Sequence, residues 1–182
     1  SLYKQLVEAK FNKKIPWISG GTSVVLPLLF RQQIPAGINH FRIGETLYFG
    51  VDLFDEKPIK AMKPDVLRLF TQIIEITKKP KVPIGQLATN PSGDVFEVNE
   101  EDYGKESYRA ILDIGTLDIS VDYLIPDDES INIVNASSDM LVVDLGDRSP
   151  NYEVGDEVSF QLKYMGALSL LNSDYIAKRV IE

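Results

Sequence analysis

Two short stretches hold the residues whose types and spacing could do chemistry. Ser19-Gly20-Gly21-Thr22-Ser23 sets hydroxyls and glycines side by side, and Asn39–Gly50, NHFRIGETLYFG, carries Arg42 and Gly44. Hydroxyls, small residues and backbone N–H groups at the opening of a helix suit an anion such as phosphate. The plainer alternative for the first stretch is an ordinary N-cap, with Thr22 in the capping position. Arg42 adds a permanent positive charge with planar donors, and its plainer alternative is a surface ion pair. His40 is the single histidine. It alternates with Arg42 along an extended segment and is read as packing locally, with a role beside a ligand as the alternative.

The flanking residues must place these two stretches. Leu2, Leu6 and Phe11 are spaced with charges between them, which predicts a helix over 1–11. Ile15–Ser19 reads as a short strand, Gly20-Gly21 as a turn, and Ser23–Gln33 as a helix with Pro27 in its first turns. Pro35 and Gly37 mark a loop before the next strand and turn, within Asn39–Gly50. Helix, strand, helix and strand in this order form the tail of a βαβ series with parallel strands. In a parallel barrel the last strand ends share one face, where phosphate sites often form. Two glycine-bearing turns on successive strands, one with an arginine, therefore say more together than apart.

After Gly50 the pattern changes. Val66–Thr77, Ser107–Gly115, Ile131–Asn135, Met140–Leu145 and Asp156–Leu162 read as strands. Turns are expected at Asn90-Pro91-Ser92-Gly93, Pro126-Asp127-Asp128, Gly146-Asp147 and Val154-Gly155-Asp156, and a short helix over Gly166–Leu171. With a seam near Asp55–Pro64, the expected fold class is an α/β remnant followed by a mainly antiparallel β-domain. Residues 1–55 would be the last βα units of an incomplete TIM-type barrel, and 56–182 the β-domain.

Composition narrows the function. The chain has 182 residues, no cysteine and one histidine, so disulfides are excluded and no metal site is expected. Its net charge of −8 argues against nucleic-acid binding, which needs excess Lys and Arg. No apolar run approaches the ~20 residues that span a bilayer, and no signal-peptide pattern is visible. A cytoplasmic setting without a membrane partner is expected.

The order SGGTS, NHFRIGETLYFG, AILDIG, NASSDM and SDYIAKR resembles the C-terminal part of fold-type III, pyridoxal-phosphate-dependent amino-acid racemases. The family is that of alanine racemase, and the ornithine/lysine racemase-like branch is the more similar. The resemblance implies a pyridoxal 5′-phosphate cofactor in the intact enzyme, a small amino-acid substrate of the ornithine, lysine or alanine class, and a homodimer with sites shared across the interface. It implies that a hydroxyl within Ser19–Ser23, with Ser23 or Thr22 favoured, holds the cofactor phosphate together with backbone donors at Gly44 and Glu45 and with Tyr175. Arg42 would face the pyridine nitrogen, keeping it unprotonated and the cofactor a weaker electron sink. Ser138 and Asp139 match the loop whose backbone meets the substrate carboxylate in the partner subunit.

Two departures qualify the match. The family places a catalytic tyrosine after an Ile-Gly at a strand end, whereas this chain reads Ile114-Gly115-Thr116-Leu117-Asp118. A threonine hydroxyl is too weak an acid to replace tyrosine, so Asp118 becomes the candidate acid/base beside Thr116, with Tyr103 and Tyr108 behind it. The family's cofactor-bearing lysine lies on the first barrel strand, which this chain does not contain, and Lys60 and Lys63 in the linker do not take that role. The chain alone is therefore expected to be inactive. The alternative functions are a non-catalytic β-domain for dimerisation or partner binding and, third, a pyridoxal-phosphate-dependent decarboxylase-type relative.

Overall fold

Proline, glycine and asparagine decide how the first part of the chain folds. The computed structural model describes residues 2–85, 89, 93, 98–147 and 151–181 and divides into two units, Ser1–Val66 and Leu67–Glu182. The first unit contains α1 (Leu2–Phe11), β1 (Ser19–Thr22), α2 (Leu26–Phe30), β2 (His40–Arg42), α3 (Glu45–Phe49) and a small hairpin of β3 (Val51–Asp52) with β4 (Lys57–Pro58). β1 and β2 pair in parallel, Ser19 opposite His40 and Thr22 opposite Arg42, as the βαβ reading expects.

Three local readings are corrected. The strand lies at Ser19–Thr22 and not at Ile15–Ser19, so the two glycines belong to it. Pro16 has no N–H for a ladder. The Asn39 side chain instead accepts from the Ile18 amide at 2.8 Å and donates to the Pro16 carbonyl at 2.9 Å. The helix expected over Ser23–Gln33 is a 3-10 turn, Ser23–Val25, followed by α2. Its regular part begins beside Pro27 and ends before Gln32, whose φ of 55° is left-handed and cannot continue a helix. Glu45–Phe49 is a helical turn that the sequence reading leaves within a strand and turn. It stops at Gly50, where φ is 61° and a Cβ would lie 2.9 Å from the Lys63 carbonyl oxygen. Both conditions favour glycine.

The second unit is built on a six-stranded antiparallel sheet. Its strands are β5 (Arg68–Pro80), β6 (Glu106–Leu112), β7 (Leu124–Pro126), β8 (Asn132–Ala136), β9 (Leu141–Gly146) and β10 (Glu157–Leu162), and α4 (Tyr164–Asn172) follows. The spatial order is β7-β10-β5-β6-β9-β8. The long β5 serves two neighbours: residues 68–72 pair with β10, and from Ile73 onward it pairs with β6. The register shifts between Ile73 and Glu75, which marks a bulge at Ile74. Strict alternation turns Leu69, Thr71 and Ile73 inward, with Leu141, Val143 and Leu145 from β9 and Val158, Phe160 and Leu162 from β10. Ile114, Ile119, Leu124, Ala167 and Leu170 are buried as well.

The expected strands and the helix near Gly166–Leu171 are present, with ends shifted by a few residues. Within this unit, β7 is the strand that the sequence reading misses. It is three residues long, it lies at the sheet edge and it ends in Pro126, a residue tolerated only at such edges. Asn90, Pro91 and Ser92 of one expected turn lie outside the described residues. In the first unit, Leu26 is the buried apolar side chain among the described residues, while Leu2, Tyr3, Leu6, Phe11 and Trp17 are exposed. No helix among the described residues is long and apolar enough to cross a membrane.

Arg68, at the start of β5, forms an ion pair with Asp127, just beyond β7. Burial works to raise the Asp127 pKa, but hydrogen bonds with Ser159, Gln161 and Arg68 and the Arg68 charge outweigh it, and the carboxyl titrates below its ordinary range. A lowered folded-state pKa stabilises above the unfolded value of about 3.9, and that stability is lost as pH falls through the folded-state value. Asp127→Asn should therefore cost about 1–2 kcal/mol at neutral pH. Parent and variant should converge once the pH falls below the folded-state pKa of Asp127. Urea unfolding midpoints measured across this range check both statements.

Candidate active site

Parallel pairing brings the C-terminal ends of β1 and β2 out on one edge, with Thr22 opposite Arg42. The next residue, Ser23, is buried at 4% exposure. Its Oγ accepts hydrogen bonds from the Gly44 amide at 3.2 Å and the Thr46 amide at 3.4 Å. The structure thus brings Ser23, Gly44 and Glu45, three of the residues read as phosphate contacts, into one interlocked pair of turns. Ser19 and Thr22 are exposed at the two ends of β1. Thr22 occupies the cap position of the 3-10 turn, but its side chain makes no capping hydrogen bond, so the N-cap alternative is not realised. Arg42 is exposed at the end of β2 and takes part in no ion pair among the described residues.

The three glycines here differ in what surrounds them. A Cβ on Gly20 would meet Ile38 Cδ1 at 2.5 Å, and one on Gly21 would meet Val25 Cγ2 at 2.5 Å. These two are small because neighbouring side chains fill the space. A Cβ on Gly44 would meet nothing within 4 Å. The open approach is therefore at Gly44. Thr46 Oγ1, on the fully buried Thr46, has no hydrogen-bond partner among the described residues. An open backbone turn with hydroxyls beneath it, and an arginine without an ion pair among the described residues at the adjoining strand end, form a donor set that fits a phosphate group. His40 stacks on Trp17 with centroids 5.9 Å apart and an interplanar angle of 18°, in keeping with local packing.

In the second unit, two loops are locked together. The Thr116 amide and Oγ1 both donate to the Ser137 carbonyl, at 2.9 and 3.1 Å, and the Leu117 amide donates to the Ser138 carbonyl at 3.0 Å. Gly115 allows this approach, because a Cβ there would lie 2.2 Å from the Ser138 carbonyl oxygen. Thr116, Ser138 and Asp139, distant in sequence, are thus neighbours. Ser138 Oγ donates to Asp139 Oδ2 at 2.5 Å. Asp118 is half-buried in the turn that follows Gly115, its amide donating to the Gly115 carbonyl at 3.1 Å. Tyr175 is 95% exposed, and its amide donates to Ser173 Oγ at 3.2 Å.

Two contributors are absent from the sequence reading. Thr46 is hidden because a threonine in TLYFG gives no sign of being buried. Ser137 supplies the carbonyl that Thr116 uses, and its own Oγ accepts from the Met140 amide at 3.1 Å. The Ser137-to-Met140 spacing is a turn signature that could have pointed to it.

Comparison with known proteins adds to this geometry. The chain is 35% identical over 175 residues, 96% of its length, to an ornithine racemase of Acetoanaerobium sticklandii. It is 31% identical over 175 residues to a lysine racemase of Thermotoga maritima. Its relatives are amino-acid racemases. The chain spans about half the length of these curated relatives, 49% and 48%. Among solved structures it matches alanine racemases of Oenococcus oeni, with a TM-score of 0.53 and 21% identity over 86% of the chain and 42% of that structure, and of Pseudomonas aeruginosa, with a TM-score of 0.52 and 20% identity over 85% and 41%. At that identity the likeness establishes the fold. The expected α/β piece followed by a mainly antiparallel β-domain is therefore the racemase arrangement. No protein-family model matches the chain.

Gly115→Ala tests the loop lock. The added methyl meets backbone, which cannot swing aside, so the variant should lose about 1–3 kcal/mol. The Thr116 and Leu117 amides should also exchange faster. Urea unfolding together with amide hydrogen exchange checks the pair of effects.

Proposed function

We propose that this chain supplies the phosphate-binding turns and the β-domain of a pyridoxal-phosphate-dependent amino-acid racemase that interconverts L- and D-amino acids of the ornithine, lysine or alanine class. The observation that carries the reading is the bond from the Gly44 amide to Ser23 Oγ, which couples two parallel strand-end turns, in a chain related to ornithine and lysine racemases. Ser19, Thr22 and Ser23 offer hydroxyls and the Gly44–Glu45 turn offers backbone donors for the cofactor phosphate. When bound, pyridoxal phosphate withdraws electrons from the substrate α-carbon and makes its proton removable.

The chain's own residues then have distinct tasks. Arg42 keeps its protons at all working pH values, so it donates a hydrogen bond to the cofactor ring nitrogen without protonating it. Thr116 already donates its hydroxyl proton to Ser137 and is a poor proton carrier. Asp118, three positions from Gly115, is the group that accepts or returns a proton on one face of the substrate. The backbone at Ser138 and Asp139 meets the substrate carboxylate. Leu117 and Met140 are exposed on the two locked loops, at 77% and 41%, which suits loops that meet a second copy in a homodimer with shared sites. The setting is cytoplasmic.

The test uses the whole gene product that carries this chain. Pyridoxal phosphate titrated by absorbance should bind stoichiometrically, and ornithine, lysine or alanine of one hand should yield the other in a chiral assay. Arg42→Glu should lower racemisation by about 10²–10³-fold and raise transamination relative to it. A wild-type protein that binds no cofactor, or binds it and racemises none of the three, overturns the reading in favour of a non-catalytic role.

A further inference from the structure

The donors around the Gly44–Glu45 turn suit an anion, yet the turn itself carries a negative charge. Glu45 is the first residue of α3 and the acidic residue of its first turn. It is half-buried, and its carboxylate makes no ion pair or hydrogen bond among the described residues. Its main chain is held on both sides, because the Gly44 and Thr46 amides donate to Ser23 Oγ at 3.2 and 3.4 Å. The side chain therefore starts from a fixed point next to the open space over Gly44. Arg42, at the end of β2, is the nearest basic residue in sequence. It forms no ion pair with Glu45, and the proposed function gives its guanidinium to the cofactor ring.

A carboxylate partly withdrawn from water gains from a nearby cation and loses from a second anion. A phosphate at this turn would be that second anion, so a partner for Glu45 has to arrive with the substrate. Alanine ends in a methyl group and brings none. Ornithine and lysine end in an ammonium group with three donors. We infer that Glu45 is a specificity-determining residue: its carboxylate receives the side-chain ammonium of a diamino acid, so that ornithine or lysine is preferred to alanine. The inference deepens the proposed function and rests on its placing of the cofactor at this turn. It gives the Glu45 side chain a task separate from that of its main-chain N–H. An acidic residue in a first turn also stabilises its own helix, but that effect does not depend on which substrate is bound.

The experiment uses the whole gene product and compares ornithine with norvaline, which has the same carbon chain and no side-chain amine. The wild-type protein should racemise ornithine with a kcat/KM about 10–100-fold above that for norvaline. Glu45→Gln, which keeps the shape and removes the charge, should bring that ratio close to one, mainly through the KM for ornithine. Glu45→Asp, which keeps the charge at shorter reach, should retain part of the ratio. In protein labelled at its glutamate side chains, the Glu45 carboxyl carbon should shift on adding ornithine and stay in place with norvaline. A wild-type protein that racemises both alike overturns the inference and leaves the proposed function standing. Equal losses for the two substrates in Glu45→Gln, the result of a role in α3 alone, overturn it as well. So does a ratio that falls although the carboxyl carbon does not respond to ornithine. If Glu45→Gln does not fold, Glu45→Asp and the carbon resonance decide on the same terms. A protein that racemises neither amino acid contradicts the proposed function, and the inference falls with it.

Discussion

The hydrogen bonds from the Gly44 and Thr46 amides to Ser23 Oγ are the constraint on which the candidate cofactor site depends. Parallel pairing of β1 and β2 puts two strand ends on one edge, but pairing alone leaves the turns beyond them free to separate. One buried hydroxyl joins them. It fixes where α3 begins, and so where its first residue, Glu45, stands, while Arg42 follows from the strand that leads into the turn. The remaining small residues make this possible: Gly20 and Gly21 admit Ile38 and Val25, which fill the space behind the strand.

The β-domain solves a similar problem with backbone. Six antiparallel strands bury one face through strict alternation, and the bulge in β5 lets a single strand serve β10 and β6 in turn. That frame holds the loop after Ile114 against the loop at Ser137–Met140, and Gly115 removes the one side chain that would keep them apart. Thr116 is thereby occupied as a donor to Ser137.

Much of this is legible in the sequence, and what is missed has physical causes. Long β-branched runs such as Leu69–Thr77 declare their strands because alternation and composition agree. The parallel pair is legible from the helix and strand order. The exact strand ends near the site are not, because Pro16 and Asn39 settle them through side-chain bonds between residues more than twenty positions apart, which no local pattern records. The two glycines after Ser19 look alike on paper, and packing alone shows that they are filled while Gly44 is open. Ser23 is legible as a polar residue at a turn, but its inward direction and its two amide partners are tertiary facts. The short edge strand β7 carries too few residues for its period to show.

The most direct test of the account is to follow backbone amide resonances of the isotope-labelled whole gene product while pyridoxal phosphate is added. The account predicts saturable shifts centred on Glu45, with Gly44, Thr46 and the Thr22–Ser23 turn moving with it, and far smaller shifts there with pyridoxal. Saturable binding of pyridoxal phosphate that leaves Gly44, Glu45 and Thr46 unmoved would contradict it.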